Sequence, residues 1–300
     1  MPTPRRNPRP LQGLFHAVPA VAGLAAALSA GSAYAGVLAE DSFNAYATGA
    51  LDGQTPPAAS PFTGFATDQG TPEVVAGDLG VTTPGTSQVL LNQSPGNAVL
   101  DAALDLSPTG PFAGYLDGNG EIGADGTTLY FGFALQVSGQ EDSTASSSGV
   151  IRFEGGTPPA TGEDARILIG KEFNRSTFNL SLGGGTLRQT LAPFDTDEHF
   201  IVLRIDFAAG VDTVTAYFDP IDGLGESAAG QVAGVSVVDE VVFTNLEFRS
   251  RQLDAPPNVT NDTVFDDVIF GTTFESVFPV PEPGSLTLVA AGVALIARRR

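Results

Sequence analysis

The sequence has 300 residues, of which 34 are acidic and 14 basic, and its formal net charge is −20 at pH 7. The 36 glycines and 22 prolines exceed ordinary usage, while 42% of residues are apolar. This composition excludes a coiled coil, collagen and a disordered acidic tail. The absence of cysteine excludes disulfides and thiolate chemistry. Only eight basic residues accompany 33 acidic ones between positions 36 and 280, so we expect no nucleic-acid partner.

The first 35 residues have the pattern of a secretory signal peptide. Arginines within 5–9 supply a basic start, and 14–30 form a short apolar helix. Ala33 and Ala35 frame a small-x-small cleavage site. We therefore expect signal peptidase to remove 1–35 and the protein to be exported.

The middle of the chain is predicted to consist of β-strands. Apolar and polar residues alternate in 129–137, 177–182 and 200–207, as they do in strands with one buried face. Glycine- and proline-rich turns separate these segments, including the glycine triplet at 183–185, which predicts a hairpin. Further strands are expected at 88–91, 98–102, 150–154, 166–170, 211–218, 241–248 and 264–270.

So many short strands predict one all-β domain over 36–279, a two-sheet sandwich or a barrel. The signal helix and a short apolar helix at the C-terminus would flank this domain.

A glycine-rich loop carries the candidate metal site. Asp117, Asn119, Glu121 and Asp125 place oxygen-bearing side chains at alternate or nearby positions, as a calcium loop requires. The spacing does not fit an EF-hand, because the expected bidentate glutamate is missing. The alternative is a tight polar turn between strands. The acidity of the whole domain also has two interpretations, which are cation binding and solubility. Calcium is the one cofactor that the sequence suggests.

After signal removal, His199 is the only histidine left. It begins a predicted strand beside Asp197 and Glu198, so it is either a base oriented by a carboxylate or a strand-edge histidine on a polar loop. We expect the second, and no catalytic residue is predicted.

The body resembles the LamG-like, concanavalin A-like sandwiches of bacterial surface proteins. The similarity lies in the opening segment 40–54, in the paired strands of 199–217 and in the closing strand 265–273, and it covers about 40–278. Asp219 departs from the family, which usually has asparagine before this proline. The resemblance implies a two-sheet jelly roll. It does not specify the ligand, because members include lectins, adhesion modules and glucanases.

The glucanases of that family carry a Glu-x-Asp-x-x-Glu strand, which is missing here. The nearest acidic clusters are Glu163-Asp164, 195–198 and Asp266-Asp267. We therefore expect no enzyme, while carboxylates that are remote in sequence leave glycan hydrolysis as an alternative.

The last 21 residues form a three-part tail. Pro281, Glu282 and Pro283 precede the apolar run 285–297, which would span only about 20 Å as a helix. A full membrane crossing needs roughly 30 Å. The chain then closes with three basic residues, Arg298, Arg299 and Arg300.

This tail, 280–300, resembles the PEP-CTERM sorting signal of Gram-negative bacteria. The resemblance implies recognition by an exosortase-like membrane enzyme, a transient membrane segment, and a place at the cell envelope or outside the cell. It also implies association with exopolysaccharide or biofilm. We therefore expect a structural or adhesive surface protein, with a calcium-assisted lectin-like module and a glycan hydrolase as the alternatives.

Overall fold

The computed structural model describes most of the chain between Gly36 and Phe278. The predicted signal peptide and sorting tail lie outside the described residues. None of the described helices is long and apolar enough to cross a membrane. The described residues are 36–77, 79, 87–93, 96–138, 147–155, 165–173, 175–183, 187–221, 225–226, 232–238, 241–252 and 261–278.

The described strands form two antiparallel sheets, of nine and seven strands. The nine-stranded sheet has the order β14-β13-β12-β7-β16-β5-β4-β2, with β1 also paired to β16. Its strands are β1 (Val37–Asp41), β2 (Gly49–Ala50), β4 (Thr71–Ala76), β5 (Ser87–Gln93), β7 (Thr128–Ser138), β12 (Glu198–Asp206), β13 (Asp212–Phe218), β14 (Val232–Val238) and β16 (Asn261–Gly271).

The seven-stranded sheet has the order β11-β10-β9-β8-β15-β6-β3. Its strands are β3 (Phe62–Gln69), β6 (Gly96–Leu104), β8 (Ser147–Glu154), β9 (Ala165–Lys171), β10 (Thr177–Leu182), β11 (Leu187–Pro193) and β15 (Asn245–Gln252). The predicted all-β, two-sheet jelly-roll sandwich is confirmed.

Phenylalanines from both sheets meet in the core between them. Phe131 on β7 packs edge-on against Phe153 on β8, with ring centroids 5.0 Å apart. Phe248 on β15 meets Phe265 on β16 at 5.2 Å. Because side chains alternate along a strand, every second residue of β7 points inward. These are Leu129, Phe131, Phe133, Leu135 and Val137, all at most 1% exposed.

A second apolar cluster covers the outer face of the nine-stranded sheet. The short helix α1 (Phe274–Val277) packs there, and its Phe274 ring lies 5.1 Å from that of Tyr217. Thr273 caps the helix by accepting a hydrogen bond from the backbone N–H of Ser276. The helix therefore covers the part of this face around β7, β12, β13 and β16.

Glu226 anchors the chain between β13 and β14 to this same face. Its carboxylate accepts hydrogen bonds from the hydroxyls of Tyr130 (2.9 Å) and Tyr217 (2.5 Å) and pairs with Arg204 at 3.0 Å. Burial alone would raise the pKa of Glu226, but these three donors outweigh it and lower the pKa.

The opening segment is tied down by a buried carboxylate. Asp41 accepts hydrogen bonds from the Tyr46 hydroxyl (2.5 Å), the Ser60 hydroxyl (2.6 Å) and the Phe43 backbone N–H (2.9 Å). Burial raises the pKa of Asp41, and the hydrogen bonds partly offset this. A cavity of about 390 Å³ adjoins this network. All the polar atoms named here bond to one another, so the network's role is to hold β1 against the following loop.

Candidate functional site

Three strands of the seven-stranded sheet bring a row of charged side chains together. The register pairs Asp101 on β6 with Glu247 on β15, and Glu247 with Arg152 on β8. Glu154 lies two residues beyond Arg152 and therefore on the same face of the sheet. We call this outer surface, with Asp101, Arg152, Glu154 and Glu247 at its centre, the charged face.

Three carboxylates converge on the charged face. Asp101, Glu154 and Glu247 each have an oxygen within 4.8 Å of the other two. Arg152 pairs with Glu247 at 2.9 Å and with Glu154 at 3.4 Å, and Arg249 lies 3.1 Å from Glu247. The Glu247 side chain is only 8% exposed, so these cations compensate a charge that is largely removed from water.

The surroundings shift the pKa values of two of these groups. Burial raises the pKa of Asp101 to about 6, and the nearby charges of Glu247, Glu154 and Asp68 add to the rise. Burial and the charge of Glu247 also raise the pKa of Glu154, against the opposing charge of Arg152. Asp101 is therefore protonated in mildly acidic solution, where ordinary aspartates are ionised.

A solvent-open groove of about 430 Å³ adjoins the carboxylates. Small side chains give it room, and a Cβ added at Gly64 would meet nothing within 4 Å. Asn245 donates to Glu154 at 3.4 Å. The groove is lined by Gly64, Phe65, Ala66, Asp101, Ala103, Glu154 and Asn245.

This arrangement has three chemical capabilities. Its carboxyl and amide groups accept and donate hydrogen bonds, and Asp101, whose pKa is raised, lies beside two further carboxyl groups that could serve acid–base chemistry with it. Carboxylate oxygens also ligate hard cations. Because Arg152 and Arg249 already compensate Glu247, the charge balance favours a hydrogen-bonding ligand over a divalent cation.

In the predicted calcium loop, Asp117 forms hydrogen bonds with other residues of the same loop. Asp117 accepts hydrogen bonds from the backbone N–H groups of Asn119 (2.8 Å) and Glu121 (2.9 Å) and from the Asn119 amide (3.1 Å). Burial alone would raise the pKa of Asp117, but these hydrogen bonds together outweigh it and lower the pKa. The carboxylates of Asp117, Glu121 and Asp125 do not form a group within 4.8 Å of one another, as those of the charged face do.

His199 lies between two carboxylates other than the predicted neighbours. Its Nε2 is 2.7 Å from Asp195 and its Nδ1 is 2.7 Å from Asp219. Its ring packs against Phe178 and Phe218, with centroids 4.8 and 4.6 Å away. Burial alone would lower the pKa of His199, but Asp219 and Asp195 outweigh it and raise the pKa. Both ring nitrogens are engaged, and the ring is buried at the start of β12, so His199 lies in the packed sheet and not on a polar loop as expected.

The remaining predicted sites divide into two groups. Asp266 and Asp267 are both 1% exposed within β16, away from the charged face. The other positions lie outside the described residues: Ala33, Ala35, Glu163, Asp164, Pro281, Glu282, Pro283, Arg298, Arg299 and Arg300.

Sequence reasoning missed Asp101, Glu154 and Glu247. Each stands alone among ordinary residues in its own strand, at positions far apart in the chain. Their outward position in the predicted strands 98–102, 150–154 and 241–248 was a usable signal, but only the strand order makes them neighbours.

Comparisons with known proteins give no family. No family model matches the chain, and no curated protein matches it. Among solved structures, the catalytic domain of the glycoside hydrolase family 131 protein from Coprinopsis cinerea aligns over 79% of this chain and 97% of its own. The identity is 14% and the TM-score 0.49.

Two further structures are carbohydrate-related. The carbohydrate recognition domain of Emp47p aligns over 81% of this chain and 100% of its own, at 9% identity and a TM-score of 0.41. A solved chain of botulinum neurotoxin type C, whose cell entry depends on interaction with two ganglioside molecules, aligns over 76% of this chain at 9% identity and a TM-score of 0.45. This chain spans only 47% of that solved chain. Identities and scores this low carry no argument about function.

The raised pKa of Asp101 has a consequence for stability. The folded state holds this proton more tightly than the unfolded chain, so ionising Asp101 costs stability as the pH rises from about 4 to about 6. We expect Asp101→Asn to raise the free energy of unfolding at pH 7.5 by about 1 kcal/mol, after allowance for solvent screening at this half-exposed group, and to give no gain at pH 4.

Urea denaturation at both pH values measures this difference. The control is Asp52→Asn, which removes an exposed carboxylate from a turn and is expected to change little. An equal gain at pH 4 and pH 7.5 would contradict the prediction.

Proposed function

We propose that this chain is an exported envelope or extracellular protein whose β-sandwich binds polysaccharide through the groove of the charged face. The observation that carries the proposal is the convergence of Asp101, Glu154 and Asn245 on an open groove with a small-residue lining. Ligand sites commonly combine a concave surface with a few convergent polar groups.

The chemistry of the groove suits sugar hydroxyls. A hydroxyl donates to a carboxylate and accepts from an amide, and both partners are present at Glu154 and Asn245. Gly64, Ala66 and Ala103 leave space for a ring to approach the sheet. Hydrogen bonds to charged groups are the stronger kind, so few such contacts suffice to orient a sugar.

The two ends of the sequence support export and sorting. A signal peptide over 1–35 and a PEP-CTERM-like tail over 280–300 would deliver the sandwich to the outer surface, where polysaccharide is the abundant partner. In this proposal, signal peptidase and an exosortase-like enzyme are processing partners, and the role is structural or adhesive.

Blocking the groove tests binding. Gly64→Leu places a side chain into open space without a backbone clash, so we expect a folded protein with at least about tenfold weaker glycan binding, the loss of one charge-assisted hydrogen bond or more. The matched control is Gly114→Leu, where an added Cβ also meets nothing but lies outside the groove. A glycan array followed by calorimetry makes the measurement.

The same titrations are run with calcium and with chelator. Binding that survives chelation supports the groove without calcium, whereas binding lost on chelation would assign it to the calcium-assisted alternative and the loop at Asp117. Equal binding by Gly64→Leu and the unchanged protein would overturn the groove as the site.

Sorting is tested by the mass and location of the protein in its host. We expect the surface or medium fraction to contain a chain that begins near residue 36 and has lost its tail. A chain that still ends at Arg300 in the membrane fraction would overturn cleavage and make the tail an anchor.

A glycan hydrolase is the second candidate, favoured by the spacing of the carboxylates. Retaining glycosidases hold two carboxyl groups about 5–5.5 Å apart, and the oxygens here lie within 4.8 Å. Asp101, with its pKa raised to about 6, fits the acid, and Glu154, which lines the groove beside it, fits the nucleophile.

Release of reducing sugar from a panel of glucans tests hydrolysis. If the protein is a hydrolase, we expect release by the unchanged protein and a fall to the background rate in Glu154→Gln. The rate of the unchanged protein should fall as the pH rises through about 6, where Asp101 loses the proton that it must donate. Absence of release from every glycan that the protein binds would reject the hydrolase and leave the binding function.

A further inference from the structure

The basic residues of the body are concentrated on one sheet. Of the eight between 36 and 280, only Arg204 belongs to the nine-stranded sheet. The other seven lie on strands of the seven-stranded sheet or in the turn between β9 and β10: Arg152, Arg166, Lys171, Arg175, Arg188, Arg249 and Arg251. A chain with so few cations thus places nearly all of them in the layer that carries the groove.

Most of these described arginines have a carboxylate partner. Arg152 and Arg249 contact Glu247, and Arg188 pairs with Glu172 at 2.6 Å. Their positive charge is therefore compensated within the protein, and they have little left to offer an anionic ligand.

Arg251 differs from them. Among the described residues, no carboxylate forms an ion pair with it, whereas Arg152, Arg188 and Arg249 each have one. Its guanidinium lies over the Phe173 ring, 4.5 Å from the centroid. Stacking on an aromatic ring holds the planar fork in a fixed orientation, and no carboxylate of the described residues compensates its charge.

Arg251 shares the charged face with the groove. Residues 245, 247, 249 and 251 of β15 point to the same side of the sheet, because side chains alternate along a strand. From Asn245 at the groove to Arg251 the strand runs roughly 20 Å at 3.3 Å per residue. A single extended chain lying along β15 would therefore touch carboxylates at one end and a guanidinium at the other.

We propose that the polysaccharide bound by this face is anionic, and that Arg251 on Phe173 binds one of its carboxylate or sulfate groups. This inference rests on the proposed function and names the class of its ligand. A guanidinium matches the two oxygens of such a group with two parallel hydrogen bonds. The carboxylates of Asp101 and Glu154 repel a second anion, so the groove takes a neutral sugar of the same chain.

The acidity of the rest of the protein does not oppose this binding at close range. Charges on exposed surfaces are screened beyond about 8 Å at physiological ionic strength. The contact at Arg251 is local, whereas long-range repulsion slows the approach of an anionic chain and weakens with added salt.

Calorimetry with three polymers tests the inference on the full-length protein. The polymers are polygalacturonate, dextran sulfate and a neutral β-glucan, which separate a carboxylate from a sulfate and both from an uncharged chain. We expect Arg251→Gln to weaken binding of one anionic polymer by about tenfold or more, with Arg251→Lys in between because it keeps the charge but loses the planar fork.

Arg204→Gln is the matched control, since it removes the same charge from the other sheet; thermal melting of each variant confirms folding. Selective loss of anionic binding in Arg251→Gln supports the inference. Binding of the neutral polymer alone, or equal affinity of Arg251→Gln and the unchanged protein, overturns it and leaves the proposed function standing. Binding of no glycan at all overturns the proposed function as well.

Discussion

The packing of phenylalanines between the two sheets is the constraint on which the rest of the structure depends. The chain has no cysteine and no tryptophan, so neither cross-links nor the largest side chain can hold the layers together. Phe131, Phe153 and Phe243 form a continuous series of edge-on contacts, with centroids 5.0 and 4.9 Å apart. Because side chains alternate along each strand, the residues that pack in this core determine which of their neighbours face outward.

The two outer faces are then used differently. Helix α1 and Glu226 cover part of the outer face of the nine-stranded sheet with apolar side chains and hydrogen-bonded polar ones. The seven-stranded sheet keeps charged residues beside an open groove, where Asp101 holds its raised pKa at a cost in stability. Carboxylates that lie close together despite their mutual repulsion are common at functional sites.

Periodicity predicted the strands in which apolar and polar residues alternate and missed those in which they do not. β7 and β10 alternate clearly and were found at nearly their true bounds. β3 was missed because two register shifts in its pairing with β6 break the alternation. β11 was missed because nearly all of it is exposed, so no apolar pattern marks it. The hairpin at the glycine triplet was predicted correctly, as β10 and β11 pair across it.

The candidate site was beyond the reach of a single sequence for a related reason. A calcium loop or an acidic motif can be recognised because its members are close in sequence, and Asp117 and Asp266 were selected for that reason. Asp101, Arg152 and Glu247 become neighbours only when β15 inserts between β6 and β8. Glu247 is the centre of this arrangement, because it pairs with two arginines and because its charge raises the pKa of both other carboxyl groups. The order of three strands, more than any motif, therefore creates the chemistry of this face.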